Sequence, residues 1–274
     1  MTLVWLDGHV LDADEARIAP DDRGFLLGDA AFETLRFEAG GIRRWARHRD
    51  RLSGALDWLG IARPDFDALE DAARTLTGRL ELSDAVLRLT VSRGPHGGGL
   101  DAPTAAAGTV LLTARPRPAP PESVSLVTVA SARRAGLESE RFKLAGYAEP
   151  LAARRAARAR GADMGLMVSA LDGGVVCADC ANLFVVAEDG LATPPLASGA
   201  LPGTVRAALT AAAAASGRPI MERALSPDDL ARVEAAFVTN AVMGVVPVAH
   251  LDGRALNPFH PAILAARSLE ALAY

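Results

Sequence analysis

A chain of 274 residues with a net charge of −4, 50% apolar and 23% charged, has the balance of an ordinary globular protein and suits one large domain or two modest ones. That charge excludes the strongly basic face of a nucleic-acid or membrane-surface binder. No apolar run is long enough to span a bilayer, and the longest helix-like one, VRAALTAAAAASG, is short and alanine-rich. The opening MTLVWLDGHVLDADEAR has no basic start and no long apolar stretch, so it does not read as a signal peptide, and a cytoplasmic protein is expected.

In chain order, LVWLDGHVLD reads as a hairpin turning at Asp7-Gly8. FETLRFEAGGIRRW reads as a second, turning at Gly40-Gly41, with DRGFLLGDAAFE between them. A helix is expected from about Arg47 to Leu59, stopped by Gly60, and another over PDFDALEDAARTL, opened by Pro64. AVLRLTVS and TVLLTAR are β-type runs joined by a glycine-rich loop. RPRPAPPES comes next, with four prolines in nine residues, and can continue neither a helix nor a central strand. The expected organisation is therefore a small N-terminal α/β domain over 1–114, a proline-rich linker over 115–122 and a larger C-terminal domain over 123–274. In the C-terminal part SVSLVTVA, MGLMVS, GVVCA, NLFVVA, LATP, EAAFVTN and VVPVAHLDG read as strands. LAARRAARARG, VRAALTAAAAASG and PAILAARSLEALAY read as helices. The mixture is α/β of the α+β kind, rich in antiparallel hairpins, which argues against a Rossmann fold.

The two cysteines, Cys177 and Cys180, form a CxxC between two strand-like runs. The spacing suits a redox pair or half a zinc site, but no second CxxC or nearby His pair completes the latter, and a redox CxxC usually opens a helix. No metal is expected.

Lys143, in RFKLAGYAEP, is the only lysine among 29 Lys+Arg residues. Compositional drift toward arginine could have left one lysine by accident. Alternatively, arginine cannot serve at this position. A guanidinium stays protonated at any working pH, whereas an amine can lose its proton and condense with a carbonyl. If that carbonyl belongs to a phosphorylated cofactor, the phosphate wants an arginine and a helix start. SGALPGTVRAALT supplies a Gly/Pro loop and then Thr204 and Val205 opening a helix, which is equally an ordinary capped helix. Arg51 shares a helix face with His48, three residues away, though most helix arginines are simply solvated. Thr239 and Asn240 end a strand and could add donors; Asn240 is equally a turn residue.

DRGFLLGDAAFETLRF, RHRDRL, RLTVSRG, FKLAGY, CANLFVV, TPPL…GALPGTVR and FVTNAVMGVVPV occur in this order over nearly the whole chain. As an ordered set they resemble the class-IV pyridoxal-phosphate enzymes: branched-chain and D-amino-acid aminotransferases and aminodeoxychorismate lyase. SRG after a strand, CANLF, NAVMGVVPV and the chain length look most like the lyase. The resemblance implies a two-domain fold with pyridoxal 5'-phosphate between the domains, a homodimer and a small amino substrate. Lys143 matches the Schiff-base lysine, Arg51 the phosphate arginine, and Thr204 and Val205 the phosphate-binding helix start. Tyr147 sits where an aromatic near the cofactor is common, or is a core tyrosine. Phe32 is a further candidate at the substrate.

Three departures stand out. Five residues before Asn182 the family places a glutamate that pairs with the cofactor's ring nitrogen; here stands Cys177, and a thiol cannot hold a pyridinium by charge. Asp179, two residues on, would share its strand face and could substitute. The GGRGY-like run of lyases is replaced by Gly97-Gly98-Gly99-Leu100, leaving Arg93 and His96 as candidates for a substrate carboxylate. Gly146 stands where an asparagine commonly follows the lysine. Three functions fit this pattern: a lyase making p-aminobenzoate and pyruvate from 4-amino-4-deoxychorismate, an aminotransferase for branched-chain or D-amino acids, and a degenerate relative without turnover.

Overall fold

A computed structural model describes residues 2–96, 99–101 and 108–272, which divide into two compact units. The first comprises Met1–Pro118 with Phe142–Gly146, and the second Ala119–Arg141 with Tyr147–Tyr274. The lysine segment thus belongs to the first unit, although it comes after the proline-rich stretch in the chain.

The first unit contains β1 (Leu3–Leu6), β2 (His9–Asp12), α1 (Arg23–Leu27), β3 (Ala30–Glu38), β4 (Gly41–Ile42), α2 (Trp45–Leu59), α3 (Phe66–Arg79), β5 (Asp84–Ser92) and β6 (Val110–Pro116). Its strands form one sheet in the order β2-β1-β6-β5-β3-β4, antiparallel throughout. The second hairpin turns at Ala39-Gly40, one residue earlier than expected. Both adopt positive φ (51° and 79°), and Gly41 already begins β4. Gly60 ends α2 in the left-handed conformation at φ 66°. Asp65, not Pro64, caps α3, accepting from Asp67 N and Ala68 N. Alternate β3 residues Ala31, Leu35 and Phe37 pack with Leu52 and Leu56 of α2 and with Leu69, Ala73 and Leu76 of α3. Each fully buried leucine there contributes roughly 1.5–3 kcal/mol of apolar transfer energy.

The second unit contains β7 (Val124–Arg133), α4 (Ala148–Ala159), β8 (Met164–Ser169), β9 (Val175–Ala178), β10 (Ala181–Ala187), β11 (Gly190–Thr193), α5 (Thr204–Ala215), β12 (Met221–Glu222), α6 (Pro227–Arg232), β13 (Ala235–Asn240), β14 (Gly244–Leu251), β15 (Arg254–Ala255) and α7 (Pro261–Leu272). Because β9 pairs with both β8 and β10, strands β10-β13-β14-β7-β8-β9 close into a ring. Inward side chains such as Leu126, Leu166, Leu183, Val238 and Val246 fill it. On the outer surface Phe184 and Phe237 stack at 4.8 Å beneath α5 and α7. Alternation along β10 sorts its side chains between the two faces: Leu183 and Val185 point in, Asn182 and Phe184 point out.

Candidate active site

Lys143 lies on a short extended stretch that pairs with the part of β3 that β4 leaves uncovered. Phe32 N donates to Lys143 O (2.9 Å), Ala145 N donates to Ala30 O (2.9 Å), and Ala31 faces Leu144. Phe142 and Leu144 turn toward the core, Phe142 with its ring 5.6 Å from that of Trp58. By alternation Lys143 turns the other way, and its Nζ stands 4.2 Å from the ring centroid of Phe32. The Arg88 guanidinium lies 3.8 Å from the same centroid. Sequence reasoning missed Arg88, because an arginine on an exposed strand position carries no local signal.

Arg51 and His48 do share a helix face, and both meet Glu33 of β3. Arg51 Nε donates to Glu33 Oε1 (2.7 Å) and Nη2 to Oε2 (2.6 Å), while His48 Nδ1 lies 2.8 Å from Oε2. Burial pushes the Glu33 carboxyl up, but the charge and hydrogen bonds of Arg51, with the His48 hydrogen bond, outweigh it and hold it at about 2. Burial lowers His48, only partly offset by Glu33. The linkage has one sign for both groups. The unfolded chain protonates His48 as pH falls through 6.5 and Glu33 as it falls through 4.5, while the folded chain resists until lower pH. The melting temperature is therefore expected to fall from pH 6.5 downward and most steeply from 4.5 toward 2. Glu33→Gln should flatten the lower part of that curve in scanning calorimetry, and parallel curves would contradict the assignment.

Arg93, expected at a substrate carboxylate, instead holds loops together. Its Nε donates to Asp29 Oδ2 (2.6 Å), its Nη1 to Gly60 O (3.0 Å), and its Nη2 to Asp29 Oδ1 (3.2 Å) and Leu59 O. Arg23 reaches the same Asp29 (3.1 Å), and Asp22 caps α1 while accepting from Ser92 and Thr109. A Cβ on Gly24 would meet Ser92 Cβ at 2.5 Å, so only glycine fits there. The DRGFLLGD and SRG motifs are thus two halves of one clasp. His96 is half-buried, with Nε2 enclosed and unpartnered among the described residues. Gly97 and Gly98 lie outside the described residues.

In the second unit, Cα pairing sets Cys177, Asn182 and Thr239 side by side across β9, β10 and β13, so their side chains share the outer face. Asn182 Nδ2 donates to Leu201 O (2.9 Å) in the loop that opens α5, and Cys177 packs with Ala200 and Leu196 of the same loop. A Cβ on Gly203 would meet Asn182 Oδ1 at 2.0 Å, so a larger residue at that turn would displace the Asn182 side chain. Thr204 and Val205 are buried and open α5 without a side-chain cap. The first-turn N–H groups of a helix have no intrahelical acceptor. The Thr239 hydroxyl is buried without a partner among the described residues. Asn182 was read only as a motif letter; its work is to hold this loop.

Burial pushes the Cys177 thiol up to about 11 against the opposing pull of Arg133, so it is neutral at working pH. Asp179 does not share its strand face: β9 ends at Ala178, and Asp179 sits in the turn to β10. There it pairs with Arg154 through both oxygens (2.8 and 2.5 Å) and accepts from Gly165 N (2.8 Å). Arg154 Nη2 also lies 3.0 Å from Cys180 Sγ, and both cysteines are free thiols. Asn240 is the last residue of β13, and its side chain orders the turn that follows, Oδ1 accepting from Val242 N (3.0 Å) and Met243 N (2.9 Å). Tyr147, half-buried, occupies the N-cap position of α4 and belongs to none of the core clusters.

In the first unit, an amine on a short stretch bridged to β3 suits a carbonyl compound. In the second, a helix start without a side-chain cap and the buried Thr239 hydroxyl suit an anion such as a phosphate. The sequence pattern of the amino-transferase class IV family matches residues 30–251, and the chain belongs to that family. Pyridoxal 5'-phosphate is its cofactor and small amino compounds are its substrates. The chain is 31% identical to the bifunctional aminodeoxychorismate lyase / D-amino acid transaminase of Mycobacterium tuberculosis, with 93% of this chain and 92% of that protein covered. It is 26% identical to the branched-chain-amino-acid aminotransferase of Escherichia coli (91% and 85% covered). Among solved structures it superposes on a hypothetical aminotransferase from M. tuberculosis, PLP-bound form. The TM-score is 0.87 and the identity 26%, with 99% and 98% of the two chains covered.

Proposed function

We propose that this chain is an aminodeoxychorismate lyase, giving p-aminobenzoate and pyruvate. The observation that carries the reading is the neutral, buried Cys177, around which the described carboxylates are committed elsewhere, Asp179 to Arg154 and Glu140 to Arg133. When bound, the cofactor supplies a carbonyl for the substrate amine and an electron-accepting ring. If Cys177 stands at the ring nitrogen, the chain would supply no charged partner there, and a neutral ring would be a weaker electron sink. Elimination tolerates this better than transamination, because expulsion of the leaving group discharges the carbanion and aromatises the product. The 31% identity to a protein whose name joins both activities supports the lyase and keeps the D-amino-acid aminotransferase as the second reading.

Lys143 would hold the cofactor through Nζ and, as a free amine, would take the proton from the amine-bearing carbon of the substrate. The adjacent C–O bond then breaks and the enolpyruvyl group leaves, picking up a proton as pyruvate. Arg51, Thr204 and Val205 would hold the phosphate, and Phe32 keeps the ammonium of Lys143 over its ring. Tyr147 and Asn240 are assigned to the cofactor surroundings, the latter through the turn it orders. We read the protein as a cytoplasmic homodimer. Phe25, Leu26 and Leu27 of α1, at 81%, 50% and 51% exposure, support a partner surface there, and a monomer in sedimentation would remove it. No helix among the described residues is long and apolar enough to cross a membrane.

The decisive experiment is p-aminobenzoate formation from aminodeoxychorismate by cofactor-loaded protein. Absence of product alongside keto acid release from amino donors would replace the lyase by the aminotransferase. Inactivity toward both would leave a relative without turnover.

A further inference from the structure

Glu33 is 1% exposed and stands between Ala31 and Leu35, both at 0%, on the core face of β3. A carboxylate at that position is costly, because replacing a buried ion pair by packed apolar residues is often neutral or stabilising. Its presence needs a reason beyond joining β3 to α2, which leucine would do as well. The geometry supplies one. Both oxygens are used on one side of Arg51, Oε1 by Nε and Oε2 by Nη2, a fork that fixes the guanidinium plane and not merely its charge. His48, one helical turn before Arg51, takes the second lone pair of Oε2 and so fixes the carboxylate. We propose that Glu33, clamped by His48, is the positioning residue for Arg51, setting the guanidinium in the plane that receives the cofactor's phosphate. This rests on the proposed function, in which Arg51 meets that phosphate.

The pair carries a built-in conflict. Glu33 neutralises Arg51 and so weakens its bare attraction for a dianion, while the fork removes the rotamer freedom a long side chain would otherwise lose on binding. If positioning dominates, removing the carboxylate weakens phosphate recognition. If charge dominates, removing it strengthens recognition. The two roles therefore predict opposite signs.

The test compares the affinity of the apo full-length protein for pyridoxal 5'-phosphate and for pyridoxal, which lacks the phosphate, by absorbance titration. A general loss of structure lowers both affinities, and only phosphate recognition moves their ratio. Glu33→Gln should lower the ratio by about ten-fold or more, as expected for loss of a charge-assisted fork. Glu33→Asp, too short to span both nitrogens, should lower it nearly as much, and His48→Gln by about three-fold. Arg51→Gln separates the two levels of the argument. If Arg51→Gln leaves the ratio unchanged, the phosphate assignment of Arg51 is wrong. If Arg51→Gln collapses the ratio while the Glu33 and His48 variants keep or raise it, the positioning role is wrong. Should Glu33→Gln fail to fold by circular dichroism, His48→Gln decides, and an unchanged ratio there overturns the proposal.

Discussion

Lys143→Ala is expected to reduce turnover by at least about 10³-fold, and Lys143→Arg to reduce it just as far. The arginine variant is the informative one. It preserves the positive charge and the contact with the Phe32 ring, which the lysine makes at 4.2 Å, and the backbone pairing of residues 143 and 145 with β3 does not depend on the side chain. It should therefore fold and melt like the wild type. What it lacks is an amine that can shed its proton. Borohydride reduction of the loaded protein should fix the cofactor on Lys143, read by peptide mass, and leave both variants unlabelled. If Lys143→Arg keeps a tenth of the activity, the lysine serves as a cation only, and its solitary place among arginines is compositional accident.

What could be read in the sequence was what depends on local period and on turns. The hairpin at Asp7-Gly8, the stop at Gly60 and the strands of both units come from alternation and from glycine's access to positive φ. The pairing of His48 with Arg51 was legible in a spacing of three on a helix; the shared target was not. Glu33 sits in a strand pattern where its neighbours Phe32 and Thr34 face the other way, and only the register of β3 against α2 makes it a partner. Arg88 was invisible for the same reason, since its relation to Lys143 runs through Phe32 and across two strands. Asp179 shows the reverse failure. Alternation was extended past Ala178, where the chain already turns, so its carboxylate points to Arg154 instead of sharing the face of Cys177. The ring closure of β9 onto β10 likewise has no local signature, yet it is what lines up Cys177, Asn182 and Thr239.

Cys177→Glu is expected to raise transamination relative to elimination by at least about ten-fold in the loaded enzyme, since one unit of ring-nitrogen pKa is worth about 1.36 kcal/mol. Arg133 favours ionisation of such a carboxylate, while burial and the charges of Asp179 and Glu140, which push the thiol up, oppose it. Arg133 is shared: its Nη2 lies 2.6 Å from Glu140 and its Nε donates to Gly199 O, so the new charge would compete with Glu140 and draw on a guanidinium fixed from two sides. The larger side chain must also fit beside Ala200 and Leu196, and some loss of melting temperature is expected from that packing. Cys177→Ser separates the two effects, since it keeps the size and neutrality and should leave the ratio of the two reactions where it was. An unchanged ratio in a folded, cofactor-loaded Cys177→Glu protein would mean that the ring nitrogen's partner does not choose between the reactions, and the case for the lyase would then rest on the substrate assay alone.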